Sequence, residues 1–321
     1  MQPYYQDECV TLYNCDAFDG LRSIQGKVDA LVTDPPYFKV KNEQWDRQWK
    51  KKQQFLGWMA EWMDITKPLL NPHASVWVFA SPAMTTSVES VVNDKFRVLN
   101  TVRWIKREGY HRKVKPESQR QFLSPWEGIV FAEQYDDVYG EMAKALRKEV
   151  FAPVGRYLQT EWESAGWKAG KLGVALGRDS ALPTRWAEGS SLPNPVDYEK
   201  MRALLNADGG NYLRREYEDL RRPFKLTSKE HNSDIWEFKT VPHYKGKHPC
   251  EKPLPLMEHI IATSTRQGEV VLDPFAGSAS TLVAARNLGR KAIGFEIDAS
   301  YCERAAQRLA NVSLTNSMEL V

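Results

Sequence analysis

The apolar run Val28-Asp29-Ala30-Leu31-Val32-Thr33 stops at Asp34-Pro35-Pro36-Tyr37, and that junction constrains the fold more than any other feature of the chain. Two successive prolines cannot continue a hydrogen-bonded ladder, so the run reads as a buried strand that must end there. Asp34 and Tyr37 then sit on a stiff turn at a strand's carboxyl end, where open α/β sheets bind their ligands. The Asp34 carboxylate and the Pro35 carbonyl can accept both hydrogens of an exocyclic amine while the Tyr37 ring stacks on the base that carries it. Taken alone, the tetrapeptide fits a rigid turn with a surface acid about equally well.

A second segment breaks the tie. Glu269-Val270-Val271-Leu272 is another strand-like run, followed by Asp273-Pro274-Phe275-Ala276-Gly277-Ser278-Ala279-Ser280. The pattern from Thr281 to Leu288 is helical and closes at Gly289, a helix C-cap. Small residues between strand and helix let backbone approach a ligand closely. A further strand, Lys291-Ala292-Ile293-Gly294-Phe295, ends in Glu296, placed to bind ribose hydroxyls as in nucleotide-binding βαβ units. The segment has neither GxGxxG nor a Walker lysine, which disfavours a dinucleotide or an ATP phosphate.

Together these residues resemble the β group of amino-methylating DNA methyltransferases, in which the catalytic tetrapeptide precedes a target-recognition insert and then the cofactor loop. The resemblance covers roughly the first 135 residues and the last 80. It implies an α/β, Rossmann-like methyltransferase fold with a mixed, mostly parallel seven-stranded sheet and an inserted helical region. Its domains would be residues 1–138, 139–223 and 224–321. The implied cofactor is S-adenosylmethionine, held by Asp16, Asp34, Lys252, Asp273, Phe275, Ala276, Gly277, Ser278, Ala279, Ser280, Glu296 and Asp298. Lys252, in His248-Pro249-Cys250-Glu251-Lys252-Pro253, is expected near the cofactor's methionine end, and Tyr301, Ala305 and Arg308 fit the helix after Glu296. Two positions depart from the family pattern: Asn14 stands for the usual glycine before Asp16, and Ala279 replaces a loop glycine, adding a methyl group beside the cofactor.

The implied reaction is methyl transfer to the N6 amine of an adenine swung out of duplex DNA, with Asp34, Pro35, Pro36 and Tyr37 catalytic and no metal. Extrusion costs roughly a few kcal/mol, which stacking on Tyr37 partly offsets. Phe38 is expected to pack around the same base. Aspartate at the first tetrapeptide position is usual for adenine-directed members. The N4 amine of cytosine, a DNA-binding regulator with decayed catalysis, and an RNA substrate are the rival readings.

Net charge is only +3, so DNA contact must rest on local basic patches. Three are expected. The loop after Tyr37, with Lys39, Lys41, Trp45 and Trp49, reads as a flap over DNA. The basic stretch from Lys106 to Arg120, with Arg107, His111, Arg112, Lys113 and Lys115, suits phosphates. In the insert, Leu158 and Trp162 mark one helix, Lys171 to Gly177 a second and Ala181 to Glu188 a third. This succession resembles a helix-turn-helix whose last member reads the major groove, with Arg178 and Ser180 of the turn and Thr184 and Arg185 of the helix facing out toward DNA. The opening residues do not form a signal peptide, no stretch approaches a membrane span, and four cysteines lack CxxC spacing. These point to a cytoplasmic enzyme with free thiols. Pairing into homodimers and partnership with a restriction enzyme are common in the family.

Overall fold

The computed structural model describes residues 1–40, 42–106, 119–134, 141–220, 223–226, 231–244 and 247–318. These form two compact units, residues 1–134 with 224–321, and residues 135–223. In chain order the first unit opens with β1 (Tyr5–Gln6), β2 (Val10–Asn14), α1 (Ala17–Ser23), β3 (Val28–Thr33), α2 (Gln44–Arg47) and α3 (Lys52–Thr66). It continues with β4 (Leu70–Ala80), α4 (Thr85–Asn93), β5 (Arg97–Ile105) and β6 (Trp126–Glu133). The second unit holds α5 (Glu141–Ser164), α6 (Ala169–Ala175), α7 (Leu182–Ala187) and α8 (Pro195–Leu205). The first unit resumes with β7 (Ile235–Glu237), α9 (Leu254–Ser264), β8 (Val270–Asp273), α10 (Ser280–Asn287), β9 (Lys291–Glu296) and α11 (Ala299–Met318).

The strands make one mixed sheet in the order β1-β2-β9-β8-β3-β4-β6-β5-β7. Seven strands, β2 to β5 in that order, are those the family fold implies; β1 and β7 add a short strand at each edge. All six residues of β3 are buried, as expected of a central parallel strand covered on both faces. Side-chain alternation divides the core. Ala30 and Val32 of β3 with Trp77 and Phe79 of β4 face α9, α10 and α11. Leu31, Val76 and Val78 face α3 and α4, the period of two that a pleated strand imposes. Across the antiparallel β4–β6 ladder, Trp77 lies opposite Phe131 and their rings stack at 4.0 Å.

The connection that positions the site is a reversal. From β3 the chain passes through α3 to β4 on one side, whereas β8, on the other side of β3, runs through α10 to β9 in the opposite direction. Adjacent connections leaving a sheet in opposite directions open a crevice at the strands' carboxyl ends. The turns after β3 and β8 meet there.

The second unit has its own core of Leu158, Trp162, Leu172, Trp186, Tyr198 and Met201. The turn between α6 and α7 is tight. Gly177 takes a φ of +69°, and a side chain at Gly173 would collide with the Asp179 carbonyl at 2.6 Å. Asp179 accepts the amide of Ala181, and Pro183 occupies the first turn of α7.

Candidate active site

The site begins at the end of β3. Asp34, Pro35, Pro36 and Tyr37 line a cavity of about 600 Å³ together with Asp16, Phe18, Phe275, Gly277, Glu296 and Asp298. The size suits a small organic ligand. The sequence therefore brings its tetrapeptide and much of its cofactor set to a single opening.

The remaining cofactor candidates act from behind. Asp273 is buried and accepts the hydroxyls of Thr33 at 2.8 Å and Thr281 at 2.6 Å, and the Phe275 amide at 3.1 Å. It ties the β3 turn to the start of α10 and is not among the lining residues. Ala276 donates its amide to the Phe295 carbonyl. The Ser280 hydroxyl donates to the Lys252 carbonyl and lies 3.1 Å from that of Ser278, whose carbonyl accepts from Arg308. Ala279 holds a φ of +59°, the left-handed region, which costs a residue with a Cβ roughly 1–2 kcal/mol. That backbone is why glycine suits the position. The methyl group is fully buried in the core, and Ala279 is not among the cavity-lining residues.

The acidic cavity residues are held by backbone amides. Glu296 accepts Gly277 at 2.9 Å through one oxygen and Asp298 at 2.8 Å through the other. Burial pushes its carboxyl up to about 7. Asp16 caps α1 by accepting the Phe18 amide, and Asp298 accepts the amides of Ser300 and Tyr301 at the start of α11. Burial likewise pushes Asp273 up to about 6. At Gly277 an added Cβ would lie 3.1 Å from the His248 ring, which stacks on Trp45 and meets the edge of Tyr301.

Around Asp34 lies a network that the sequence reading missed. Lys252, 5 % exposed, ion-pairs with Asp34 Oδ2, and its Nζ lies 3.5 Å from Glu127. Lys252 is thus a partner of the Asp34 turn and stands behind the cavity lining. Glu127, at the start of β6, accepts the Tyr37 hydroxyl at 3.2 Å and ion-pairs with Lys106. Asp34 Oδ1 is buried without a hydrogen-bond partner among the described residues. Burial pushes Asp34 above the usual carboxylate range against the pull of Lys252. Burial opposes ionisation of Glu127 too, but Lys252 and Lys106 outweigh it and leave its carboxyl low. Burial, with Asp34 and Glu127 near, raises the Tyr37 phenol well above its ordinary value, so it remains a donor. One acid at the head of an otherwise apolar strand, Trp126 to Ala132, was the signal available for Glu127.

The expected basic contacts fare unevenly. Lys41, Arg107, His111, Arg112, Lys113 and Lys115 lie outside the described residues. Lys106 faces inward to Glu127, so it is withdrawn from the phosphate set. Lys39 donates to the Lys50 carbonyl. The loop carrying it is anchored where fully buried Asp46 accepts the Tyr37 amide at 2.6 Å, and Trp45 and Asp46 line the cavity. It forms a wall in this structure. Phe38 packs against Phe55 and is absent from the cavity lining, contrary to its expected place at the base. In the second unit Ser180, Thr184 and Arg185 are exposed, whereas Arg178 pairs at 3.0 Å with Asp197, itself 2 % exposed.

A family model described as DNA methylase, for enzymes acting at N6 or N4 amines, matches residues 28–308. The chain belongs to this family. It is 25 % identical to the type II methyltransferase M2.DpnII of Streptococcus pneumoniae over 98 % of this chain and 95 % of that one. Among solved structures, the fold is shared with M1.HpyAVI in complex with S-adenosylmethionine (TM-score 0.52, 22 % identity, 94 % and 98 % of the two chains). It is shared too with the cytosine-N4-specific PvuII DNA methyltransferase (TM-score 0.58, 13 % identity, 96 % and 88 %). S-adenosylmethionine is the methylase's cofactor. The cavity fits it chemically: Asp16, Glu296 and Asp298 offer acceptors for hydroxyl and amine groups, and Phe18, Phe275 and Ile297 offer apolar walls for a purine.

Proposed function

We propose that this methylase transfers a methyl group to the N6 amine of an adenine extruded from double-stranded DNA. The observation that carries the reading is the free oxygen of Asp34. A buried carboxylate oxygen without a donor costs free energy; Asp34 lines the cavity together with Tyr37, whose hydroxyl also bears on its carboxylate. An exocyclic amine supplies the missing donor. Its lone pair is delocalised into the base. Hydrogen bonds to Asp34 Oδ1 and the Pro35 carbonyl favour a pyramidal nitrogen and free that pair for attack. S-adenosylmethionine, when bound, supplies an electrophilic methyl group. Asp16, Glu296 and Asp298 would orient it, and Tyr37, fixed through its hydroxyl and amide, would support the base. The chain's contribution is then positioning and electrostatics.

Aspartate at the first tetrapeptide position favours adenine over cytosine. DNA contact falls to exposed groups such as Ser180, Thr184 and Arg185, with the basic stretch from residue 107. The type II designation of M2.DpnII supports partnership with a restriction enzyme. No helix among the described residues is long and apolar enough to cross a membrane.

The test is nucleoside mass spectrometry of unmodified DNA incubated with the protein and labelled cofactor. N6-methyladenine is expected, and N4-methylcytosine in its place would overturn the base assignment. Asp34→Asn keeps the side chain's shape and is expected to lower product at least 100-fold while cofactor affinity stays within a few-fold. Retained turnover would refute the role of Asp34.

A further inference from the structure

We propose that Glu127 is a positioning residue for methyl transfer, holding the Tyr37 ring and the Lys252 ammonium together so that one Asp34 oxygen stays free for the target amine. The inference rests on the reading of Asp34 as the amine's acceptor. Glu127 heads β6, opposite Trp104 on β5, and its two oxygens meet three donors. One accepts the Tyr37 hydroxyl at 3.2 Å and lies 3.5 Å from Lys252; the other takes Lys106. Two carboxylates and two ammonium groups thus close a neutral set at the cavity's inner corner. The ammonium of Lys252 also stands 5.2 Å from the Tyr37 ring centroid and 4.9 Å from that of Phe79. Lys106 Nζ stands 4.2 Å from the Trp104 ring.

Stability alone does not account for the arrangement. Buried ion pairs replaced by apolar residues of similar volume are often neutral or more stable. What the set does accomplish is geometric. Tyr37 is pinned at both ends, by Asp46 at its amide and by Glu127 at its hydroxyl. Lys252 is drawn from two sides, so its charge does not fall on Asp34 alone. With Glu127 neutral, Lys252 would bear on Asp34 undivided, making that carboxylate a weaker acceptor for the amine and for its departing proton. The charged and titratable groups facing Asp34 are Lys252, Glu127, Tyr37 and Asp273, with Lys106 and Cys250 behind them.

The experiment is single-turnover transfer of labelled methyl groups from S-adenosylmethionine to unmodified genomic DNA, at saturating DNA, from pH 5.5 to 9, by the full chain. Glu127→Gln is expected to slow transfer about 100-fold, the scale of a small misplacement of reacting groups, with cofactor Kd within two-fold. Losing a neighbouring negative charge makes Asp34 easier to ionise. The acidic limb of the rate profile is therefore expected to move to lower pH, which a merely structural role would not produce. Should Lys106, left unpaired, unfold that variant, the double variant Lys106→Met with Glu127→Gln removes both charges together and is expected to fold yet transfer as slowly. A wild-type rate in either folded variant, or an unmoved acidic limb in Glu127→Gln, would overturn the role of Glu127. No transfer by the wild-type protein would overturn both this role and the reading of Asp34 beneath it.

Discussion

Glu296 holds the loop and lines the cavity, so one side chain is proposed to serve both loop and ligand. Its oxygens hold the amides of Gly277 and Asp298, and burial pushes its carboxyl up to about 7. Below that pH the protonated group loses acceptor capacity toward amide and ribose hydroxyl alike. Cofactor affinity is therefore expected to fall as pH drops from 8 to 6, by at most about tenfold per unit. Titration calorimetry across that range checks it, and Glu296→Gln should bind more weakly with a nearly flat profile. A wild-type affinity independent of pH would remove Glu296 from the binding set. At this scale the sequence was legible where chemistry is local. Asp34 to Tyr37, Gly277 and Glu296 were readable from neighbours a few positions away. The pairing of Lys252 with Asp34 was not, because the two lie 218 positions apart. Lys106 read as a phosphate contact because nothing in a basic stretch reveals that its first member turns inward to Glu127.

Elements were legible in proportion to the length of their pattern. The apolar runs of β3, β4, β8 and β9 and the stripe of α3 stood out. The edge strands β1 and β7, two and three residues long, are too short to display a period of two. In the second unit the spacing of Leu182 and Trp186 set the inward face of α7: Trp186 is 1 % exposed while Thr184 and Arg185 face solvent. Replacing both exposed residues with alanine is expected to alter which sites are methylated, or weaken the preference, with the melting temperature unchanged within a few degrees. Sequencing of methylated DNA checks this. An unchanged pattern would remove α7 as a reader. Arg178 is a different matter. Its exchange leaves the buried Asp197 short of its cation, so instability would obscure any effect on DNA.

At the scale of the whole molecule, residues 135–223 interrupt the sheet-bearing unit between β6 and β7, yet carry a core of their own in which Trp162, Trp186 and Tyr198 are almost wholly buried. That segment, expressed alone, is expected to give a helical circular dichroism spectrum and a cooperative melt. A gradual, featureless loss of helicity on heating would show that it depends on the rest of the chain. The sequence announced the interruption by a change of texture, but the reversal of connections between β3 and β8 was legible only through the family resemblance, since strand order is a property of pairings far apart in the chain.

The carboxylate of Asp273 grips the threonine just before one motif and the threonine just after the other. The turn that would meet the nucleobase and the loop that would meet the methyl donor therefore share one hidden fastener. Loosening it disturbs both reactants at once, which leaves natural variation little freedom to adjust either affinity alone from that point.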